Sequence, residues 1–583
     1  MLRCCVADPN NQYSPCSPTR MAPQGRLWLA ATISTGLISS VVAQDTWCGK
    51  VYNGSAQIIP GGFMTQPEPA TSPLLDVQIA TRHSIYVSSE TTAELIVDAG
   101  LSYYHGTAYS PPASGADGAS DSLRFTATVE GYVLVTGEVP VNSTDNLYQF
   151  DLSALTPSTS ASYSVILTGT TPSGANVTAQ TELFYLPDKT TGSVVKVDRL
   201  YGSLMYRNDA TGGVFKPVLP YGYYGSYSGY FNDSTNIAAF DAAGFNTVNP
   251  VADFADTNMT DSIDEMDRVN LLFQYDMRNS FQNLTSVAEQ IPLVKDHPSL
   301  LTYYTADEPD GWGYTFESSV DAYNLLASLD KYHPTALVLN CQNHFFEEYT
   351  VGADIIMEDA YPVGINATFA DKWGTPCNLT YGDCGCDNCV GSLLDVPARV
   401  DDFHKYAEWI GGSVATRKPV WAVPQAFSGE GYWARDPTPE ETFVMDLLAF
   451  NHGAMARLAW IYPPSDILSN ATAMLAKVVT AEPVVGFLTG ANPVLVQDGR
   501  SGAGALDAAY WVTDDGSKGV LVGVVNSDNS SSAAPVQIGL PEGLNVSKVA
   551  SQPWGSVDWS LQGSNLVADR GLKALDTSYV ILQ

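Results

Sequence analysis

The 583-residue sequence has few charged residues and very few basic ones. Lysine and arginine together number 28 against 62 aspartates and glutamates, which gives a formal net charge of −34 at pH 7. Phosphate backbones and anionic membrane surfaces repel so acidic a chain, so we expect no nucleic-acid or membrane partner. The balance of charge favours a neutral or cationic ligand.

Several motifs with known chemistry are also absent from the sequence. The seven histidines show no His-Glu-x-x-His or other metal-binding spacing, and no glycine-rich phosphate loop follows a strand-like run. Neither Ser226 nor Ser428 lies in a Gly-x-Ser-x-Gly elbow. We therefore expect neither a metal nor another cofactor, and no serine nucleophile of that type.

Apolar runs long enough to span a membrane are lacking after residue 43. Before that point, Met21 begins a segment with a basic Arg26, an apolar run over 27–42 and a small-residue cleavage site at 41–43. These are the features of a secretory signal peptide. We expect translation to start at Met21, residues 1–43 to be leader and signal peptide, and the mature protein to be secreted. Eleven Asn-x-Ser/Thr sequons favour glycosylation.

Cysteine is scarce, and six of the nine cysteines follow the predicted signal peptide. They are Cys48, Cys341, Cys377, Cys384, Cys386 and Cys389. An even number in a secreted chain favours disulfides over a zinc site. We expect disulfides among the four clustered cysteines, 377–389, and with Cys341 or Cys48, with the pairing open.

Three regions differ in their hydrophobic pattern. Residues 44–195 contain short β-branched and aromatic runs between turn residues, which predicts a β-sandwich. Residues 196–480 alternate strand-like with helix-like runs, the pattern of a (β/α)8 barrel. Residues 481–583 return to short strand-like runs and predict a small all-β domain. The eight strand-like runs of the barrel are 218–225, 245–252, 269–277, 300–308, 336–343, 354–362, 419–427 and 457–464.

Two adjacent acids end the fourth of these runs. Asp307 and Glu308 stand before Pro309, and a residue before proline prefers extended geometry, so the acids are expected at the lip of the barrel. Polar and aromatic side chains also follow the other strands, as a sugar-binding cleft requires. The predicted substrate-binding residues are Tyr223, Asn249, Asp276, Asn340, Tyr361, Gln425, Trp433 and Trp460.

The region 200–470 resembles the clan A glycoside hydrolases, which are (β/α)8 enzymes. The resemblance is carried by Ala-Asp-Glu-Pro at 306–309, where the clan usually has Asn-Glu-Pro, and by Trp460 after strand 8. It implies that Glu308 is the catalytic acid/base of a glycosidase acting on an oligo- or polysaccharide.

The sequence departs from the clan where the nucleophile is expected. Gln425 stands near the place of the nucleophilic glutamate on strand 7. The second carboxylate is therefore open among Glu430, Asp359, Asp307 and Glu358, and a glutamine could instead orient a substrate's own acetamido group. A non-catalytic carbohydrate-binding or surface protein on the same barrel is the alternative function.

Overall fold

The structure is a computed structural model of the chain. It describes residues 46–53, 61–110, 121–171, 174, 176–252, 259–412, 415–500, 505–513, 519–541 and 543–583. The predicted leader and signal peptide, 1–43, and the sequon at Asn258 lie outside the described residues.

The first large unit is a sandwich of two four-stranded antiparallel sheets. In spatial order, one sheet contains Thr107–Ala108, Leu74–Thr81, Thr92–Ser102 and Ser143–Asp151. The other contains Asn176–Leu183, Tyr163–Thr170, Ser122–Val129 and Tyr132–Pro140. Alternate residues of both sheets, such as Leu95 and Val165, form one apolar core between them. The short strands Tyr86–Val87 and Tyr185–Leu186 pair beside the sandwich.

The predicted (β/α)8 barrel between two β-regions is confirmed. Eight parallel strands close on themselves in sequence order. They are Tyr221–Ser226, Thr247–Val251, Leu272–Asp276, Leu300–Asp307, Thr335–Leu339, Ile355–Glu358, Val420–Ala422 and Arg457–Tyr462. We call them barrel strands 1 to 8. Strand 7 is much shorter than its apolar run predicts.

Helices alternate with the barrel strands and cover their outer face. They are Ser234–Ala243, Thr260–Val269, Leu284–Val294, Pro309–Trp312, Phe316–Leu329, Phe346–Thr350, Asp395–Ile410, Pro439–Asn451, Asp466–Val479 and Val484–Leu488. Shorter helical turns span Asp209–Thr211, Tyr227–Phe231 and Ala415–Arg417. The helix after strand 7 begins with a capping box, in which Thr438 and Glu441 cap each other's backbone amides.

A three-stranded sheet closes the amino-terminal end of the barrel. Its strands are Val194–Val197, Leu204–Arg207 and Lys216–Val218. Val195 and Leu204 share an apolar cluster with Leu301 and Trp421 of the barrel interior. Because this end is filled, a cleft can open only at the carboxyl ends of the strands.

The last region is a second all-β unit. A five-stranded sheet orders Val494–Gln497, Leu506–Val512, Val520–Asn526, Thr577–Leu582 and Val549–Trp554. A three-stranded sheet orders Val536–Gly539, Asn565–Ala568 and Ser560–Gln562. Trp511 and Tyr579 join the cluster of Leu447 from the helix Pro439–Asn451, so this unit packs on the barrel.

Three disulfides tie the mouth of the barrel together. The disulfides expected among the four clustered cysteines are present, but the expected bond from that cluster to Cys341 or Cys48 is not. Cys377 bonds with Cys384 and Cys386 with Cys389, so the clustered cysteines pair among themselves. Cys48 bonds with Cys341, just after strand 5. Two short hairpins accompany them, Thr46–Trp47 with Lys50–Val51 and Phe369–Ala370 with Thr375–Pro376. Among the described helices, none is both long and apolar enough to span a membrane.

Candidate active site

The carboxyl end of strand 4 presents Glu308 at the mouth of the barrel. The strand Leu300–Asp307 is buried up to Ala306, and Glu308 then adopts a left-handed backbone with φ of 47° before the helix that begins at Pro309. Such a conformation is uncommon for a residue with a side chain and recurs at functional sites. A rigid, buried strand and a strained turn therefore hold this carboxyl group.

Glu308 is joined to Asp359 through the side chain of Asn340. The Asn340 amide nitrogen donates to Glu308 Oε1 at 3.2 Å and to Asp359 Oδ1 at 3.4 Å. Asp359 directly follows strand 6 and Asn340 directly follows strand 5. The structure thus brings together three residues that the sequence predicts for the site.

The surroundings of this pair separate the roles of its two acids. Burial, the charges of Asp359 and Asp307, and a hydrogen bond to Asp359 raise the pKa of Glu308 well above its ordinary value. Burial also raises the pKa of Asp359, but the hydrogen bond from Glu308 and the charge of Arg399 oppose that rise. Glu308 is therefore the member that keeps a proton, and Asp359 is the member that ionises.

The buried side chain of Asp310 connects the backbone segments that carry Glu308 and Asn340. It is 1% exposed, and its two oxygens accept the backbone N–H groups of Gly311, Asn340 and Cys341 at 2.8 to 3.2 Å. Burial raises the pKa of Asp310 to about 7. Because it ties the helix after strand 4 to the end of strand 5, Asp310 fixes the distance between Glu308 and Asn340.

A second polar group lines the mouth on the side of strands 2 and 3. Arg278 donates to Asp276 at 2.8 Å and to Asp307 at 3.0 Å. Asn249 donates to Asp276 at 3.0 Å, and the Tyr304 hydroxyl donates to Asp307 at 2.6 Å. The Arg278 guanidinium also lies over the rings of Tyr224, Tyr304 and Trp460. The charge of Arg278 is therefore already matched by two carboxylates.

Tyr361 and Trp433 form the wall beside Asp359. The Trp433 indole donates to the backbone oxygen of Tyr361 at 2.9 Å, and the two rings meet edge to face. The predicted Gln425 supports this wall rather than facing the cleft. Its amide accepts from Val363 N–H and donates to the carbonyls of Val363 and Phe427, so its hydrogen-bonding groups are used by the backbone.

Three other acidic or aromatic candidates lie apart from the pair. Glu430 is exposed on the loop after strand 7, although burial of its carboxyl raises its pKa somewhat. Tyr223 points outward, because strand alternation turns Tyr224 inward, and its hydroxyl bonds with Thr472 at 2.8 Å. Glu358 also points away from the cleft, toward the helix layer, and is fully buried.

Sequence reasoning missed four residues at this mouth: Trp47, Arg278, Tyr304 and Asp310. A signal existed for Arg278, which stands two residues after the predicted Asp276 at the end of strand 3. Trp47 adjoins Cys48, and only the disulfide to Cys341 shows that this early segment reaches the barrel.

A Ser–His–Asp arrangement also occurs, at the opposite end of the barrel. Ser193 Oγ lies 2.9 Å from His333 Nε2, and His333 Nδ1 lies 2.7 Å from Asp330. All three side chains are buried, and Ser193 also donates to the Leu300 carbonyl at 2.7 Å. This arrangement anchors the start of strand 4 and has no access to a substrate.

The fold and the site together define a (β/α)8 barrel with two buried carboxylic acids at its mouth that share hydrogen bonds from one asparagine. No protein-family model and no curated protein matches the chain. Solved glycosidase structures resemble it weakly. An FMN-binding beta-glucuronidase from Facaelibacterium prausnitzii is 10% identical with a TM-score of 0.34, covering 88% of this chain and 72% of its own.

Two further structures show the same degree of likeness. A beta-glucuronidase from Parabacteroides merdae is 10% identical with a TM-score of 0.31, covering 87% of this chain and 74% of its own. A protein from Bacteroides fragilis, assigned provisionally as an alpha-galactosidase, is 9% identical with a TM-score of 0.40, covering 90% and 99%. At these values the likenesses carry no argument about what this chain does.

Proposed function

We propose that this protein is a glycoside hydrolase in which Glu308 is the acid/base and Asp359 is the nucleophile. The observation that supports this proposal is the pair of acids, which share hydrogen bonds from one Asn340 nitrogen. Their surroundings keep Glu308 protonated, and Asp359 is the member that ionises. Cleavage of a glycosidic bond requires two carboxyl groups in these two states.

The close spacing of the pair supports a double displacement with retention of configuration. Both carboxylates reach the same nitrogen atom, at 3.2 and 3.4 Å. An inverting enzyme needs about 6.5–9.5 Å between its carboxyl groups to admit a water molecule, whereas a retaining enzyme needs about 5–5.5 Å. The two acids are also hydrogen-bonded directly to each other, so the pair is too close to hold an attacking water between its members.

The reaction then has two steps. Glu308 gives its proton to the leaving-group oxygen while the bond from that oxygen to the anomeric carbon breaks, and an Asp359 oxygen bonds to the same carbon. Glu308, now a carboxylate, takes a proton from water, whose oxygen displaces Asp359 from the sugar. Both acids return to their starting states, and one water is consumed.

Replacing the two acids separately tests these roles. Glu308→Gln keeps the shape but has no proton to transfer, so we expect turnover of glycosides with poor leaving groups to fall by about 10²–10⁴-fold. Aryl glycosides with good leaving groups should lose less, and azide should restore their turnover and yield a glycosyl azide of retained configuration. Asp359→Asn should lower turnover of every substrate by about 10³-fold or more.

Glu430→Gln is the matched control, because Glu430 lies on the exposed loop after strand 7 and neither Glu308 nor Asp359 is among the groups that shift its pKa. Its turnover should stay within about twofold of the wild type. Wild-type turnover by Glu308→Gln would disprove the assignment. Binding of glycans without hydrolysis by the wild-type protein would support the alternative, a carbohydrate-binding protein on a barrel. Activity of Asp359→Asn on 2-acetamido sugars alone would indicate substrate-assisted catalysis.

The charges at the mouth support a neutral rather than an anionic sugar. Arg278 is held between Asp276 and Asp307, and Asp359 is the member of the carboxylate pair that ionises. A substrate carboxylate placed there would meet like charges without a cation to pair with, which costs several kcal/mol, or on the order of 10²-fold in affinity.

Matched aryl glycosides that differ only at carbon 6 test this substrate class. We expect kcat/KM for the glucoside or galactoside that is cleaved to exceed that of the corresponding uronide by about 10²-fold or more at pH 6. Equal or faster cleavage of the uronide would contradict the proposal. Adding salt should reduce the difference in kcat/KM between the neutral glycoside and the uronide only slightly, because the acids are buried and salt screens buried charges weakly.

We also propose that the protein is secreted and glycosylated. All ten sequon asparagines that the structure describes are exposed, so each could accept a glycan without disturbing the core. The three disulfides suit an oxidising compartment.

A further inference from the structure

A segment that precedes the whole sandwich in sequence is built into the barrel mouth. The segment 46–53 is attached by the disulfide between Cys48 and Cys341. The buried Lys50 ammonium also pairs with Asp387 at 3.3 Å, in the loop after strand 6. The segment is therefore fixed at two points, one just after strand 5 and one in the loop after strand 6.

Trp47 is the residue of this segment that reaches the site. Its indole N–H donates to Asn340 Oδ1 at 3.0 Å. Its ring packs edge to face against Trp312, with centroids 5.1 Å apart, and lies over Gly311. An added Cβ on Gly311 would lie 2.5 Å from the Trp47 ring, so the glycine leaves the space that the indole occupies.

This hydrogen bond decides which way the Asn340 amide points. An indole nitrogen can only donate, whereas an asparagine side chain has one accepting end and one donating end. With Oδ1 held against Trp47, the NH₂ group must face Glu308 and Asp359. Rotated by half a turn, the amide would instead place its oxygen against an ionised Asp359.

We propose that Trp47 is a positioning residue of the active site, which orients the Asn340 amide toward the two carboxylates. The proposal rests on the proposed function, since it assigns Trp47 a role in the same reaction. It makes the segment 46–53 a part of the catalytic site, although the rest of that site is built by the barrel.

The pH profile reports this role separately from packing. The hydrogen bond from Asn340 helps to lower the pKa of Asp359, against burial and the charge of Asp307. Arg399 also lowers it, while Asp310 acts on the neighbouring Glu308. Loss of the Asn340 bond should therefore raise the pKa of Asp359 and move the acidic limb of the kcat profile to higher pH.

Trp47→Phe in the full-length secreted protein tests the proposal, because it keeps a ring and removes the N–H. We expect kcat to fall by about 10–100-fold, as for other small losses of catalytic alignment, with KM changed by less than about threefold and the acidic limb shifted upward. Since Trp47 acts through Asn340, adding Asn340→Ala should lower kcat little further than Asn340→Ala alone.

Gly311→Ala is a second test that leaves Trp47 and Asn340 intact. Gly311 has an ordinary helical backbone, so alanine is permitted there, but its Cβ would displace the indole. We expect the same kcat loss and the same shift of the acidic limb. Trp554→Phe is the matched control, because it also removes an indole hydrogen bond, at 2.9 Å to Thr577, but in the C-terminal unit.

Three results would overturn the proposal. The first is a Trp47→Phe variant that keeps more than half of the wild-type kcat and an unmoved acidic limb. The second is a double variant whose losses in kcat are additive. The third is a raised KM at constant kcat in Trp47→Phe, which would indicate that Trp47 only stacks on the sugar. Wild-type turnover of a glycoside with a poor leaving group by Glu308→Gln would overturn the proposed function instead, whatever Trp47→Phe does. The two failures are therefore distinct.

Discussion

Glu358 and Asp359 are neighbours in the chain with opposite surroundings. Strand alternation turns Asp359 into the mouth and Glu358 toward the helix layer, where it is fully buried. Its Oε2 accepts the Ala360 N–H at 3.0 Å, whereas Oε1 has no hydrogen-bond partner among the described residues. Burial raises the pKa of Glu358 to about 8. Glu358 therefore keeps its proton up to about pH 8, and we assign it no role in the proposed hydrolysis.

This raised pKa makes the stability of the protein depend on pH. Between the ordinary value of 4.5 and about 8, the folded state holds a proton that the unfolded state has released, so the free energy of unfolding falls as pH rises. Glu358→Gln removes that dependence. We expect the variant to gain stability relative to the wild type by about 1–4 kcal/mol between pH 5 and pH 8, at about 1.4 kcal/mol for each pKa unit.

Urea unfolding of both proteins at pH 5, 6.5 and 8 measures the difference. Glu348→Gln, at an exposed position, is the control and should show a constant offset. A pH-independent offset for Glu358→Gln as well would mean that Glu358 is ionised in the folded protein.

At the scale of elements, the strands of the barrel were predictable from their apolar runs, but their ends were not. Strand 7 was predicted over 419–427 and spans only Val420–Ala422. Pro424 lacks an N–H, so the chain leaves the ladder there and Gln425 forms only an isolated bridge with Trp460. Beyond the end of the strand, the Gln425 amide hydrogen-bonds with the backbone N–H and carbonyl of Val363.

The sandwich strand Ser143–Asp151 shows a second limit of pattern reading. Its sequence is mostly polar, because much of it is exposed at the edge of its sheet, so it lacks the apolar alternation that marks a strand.

The parts of the site that lie at strand ends could be predicted from the sequence, whereas the contact from a distant segment could not. Glu308, Asn340 and Asp359 directly follow strand ends in the sequence, so alternation and strand order were enough to group them. The orientation of the Asn340 amide depends on Trp47, which is separated from it by 293 positions. No local pattern carries such a contact, since it exists only after the segment 46–53 and the barrel have folded together.

At the scale of the whole molecule, a buried histidine joins the barrel to the C-terminal unit. His452 Nδ1 lies 2.9 Å from Asp401, in the helix Asp395–Ile410, and Nε2 lies 3.0 Å from Asp507, in the strand Leu506–Val512. Burial alone would lower the pKa of His452, but the hydrogen bonds and charges of the two aspartates raise it to about 9. The domain contact thus includes a positive charge between two negative ones.

The contact should weaken in alkali. Its stabilisation is complete below the ordinary pKa of 6.5 and is lost as pH rises through about 9, a total of about 3 kcal/mol. We expect the wild type to lose stability between pH 7 and pH 10 more steeply than His452→Gln. Calorimetric scans of both proteins between pH 7 and pH 10 measure this loss of stability. Parallel pH dependences of stability in the two proteins would show that His452 is neutral in the folded state.

The bond between Cys48 and Cys341 also changes the connectivity of the molecule. It turns residues 48–341, with the sandwich and the first five barrel strands among them, into a covalent ring from which the rest of the chain extends. A protease that cuts once within this ring separates no fragment, because both new ends stay attached through the cystine. A nicked molecule therefore keeps Trp47 tethered beside Asn340, and two cuts are needed before any part of the ring can leave.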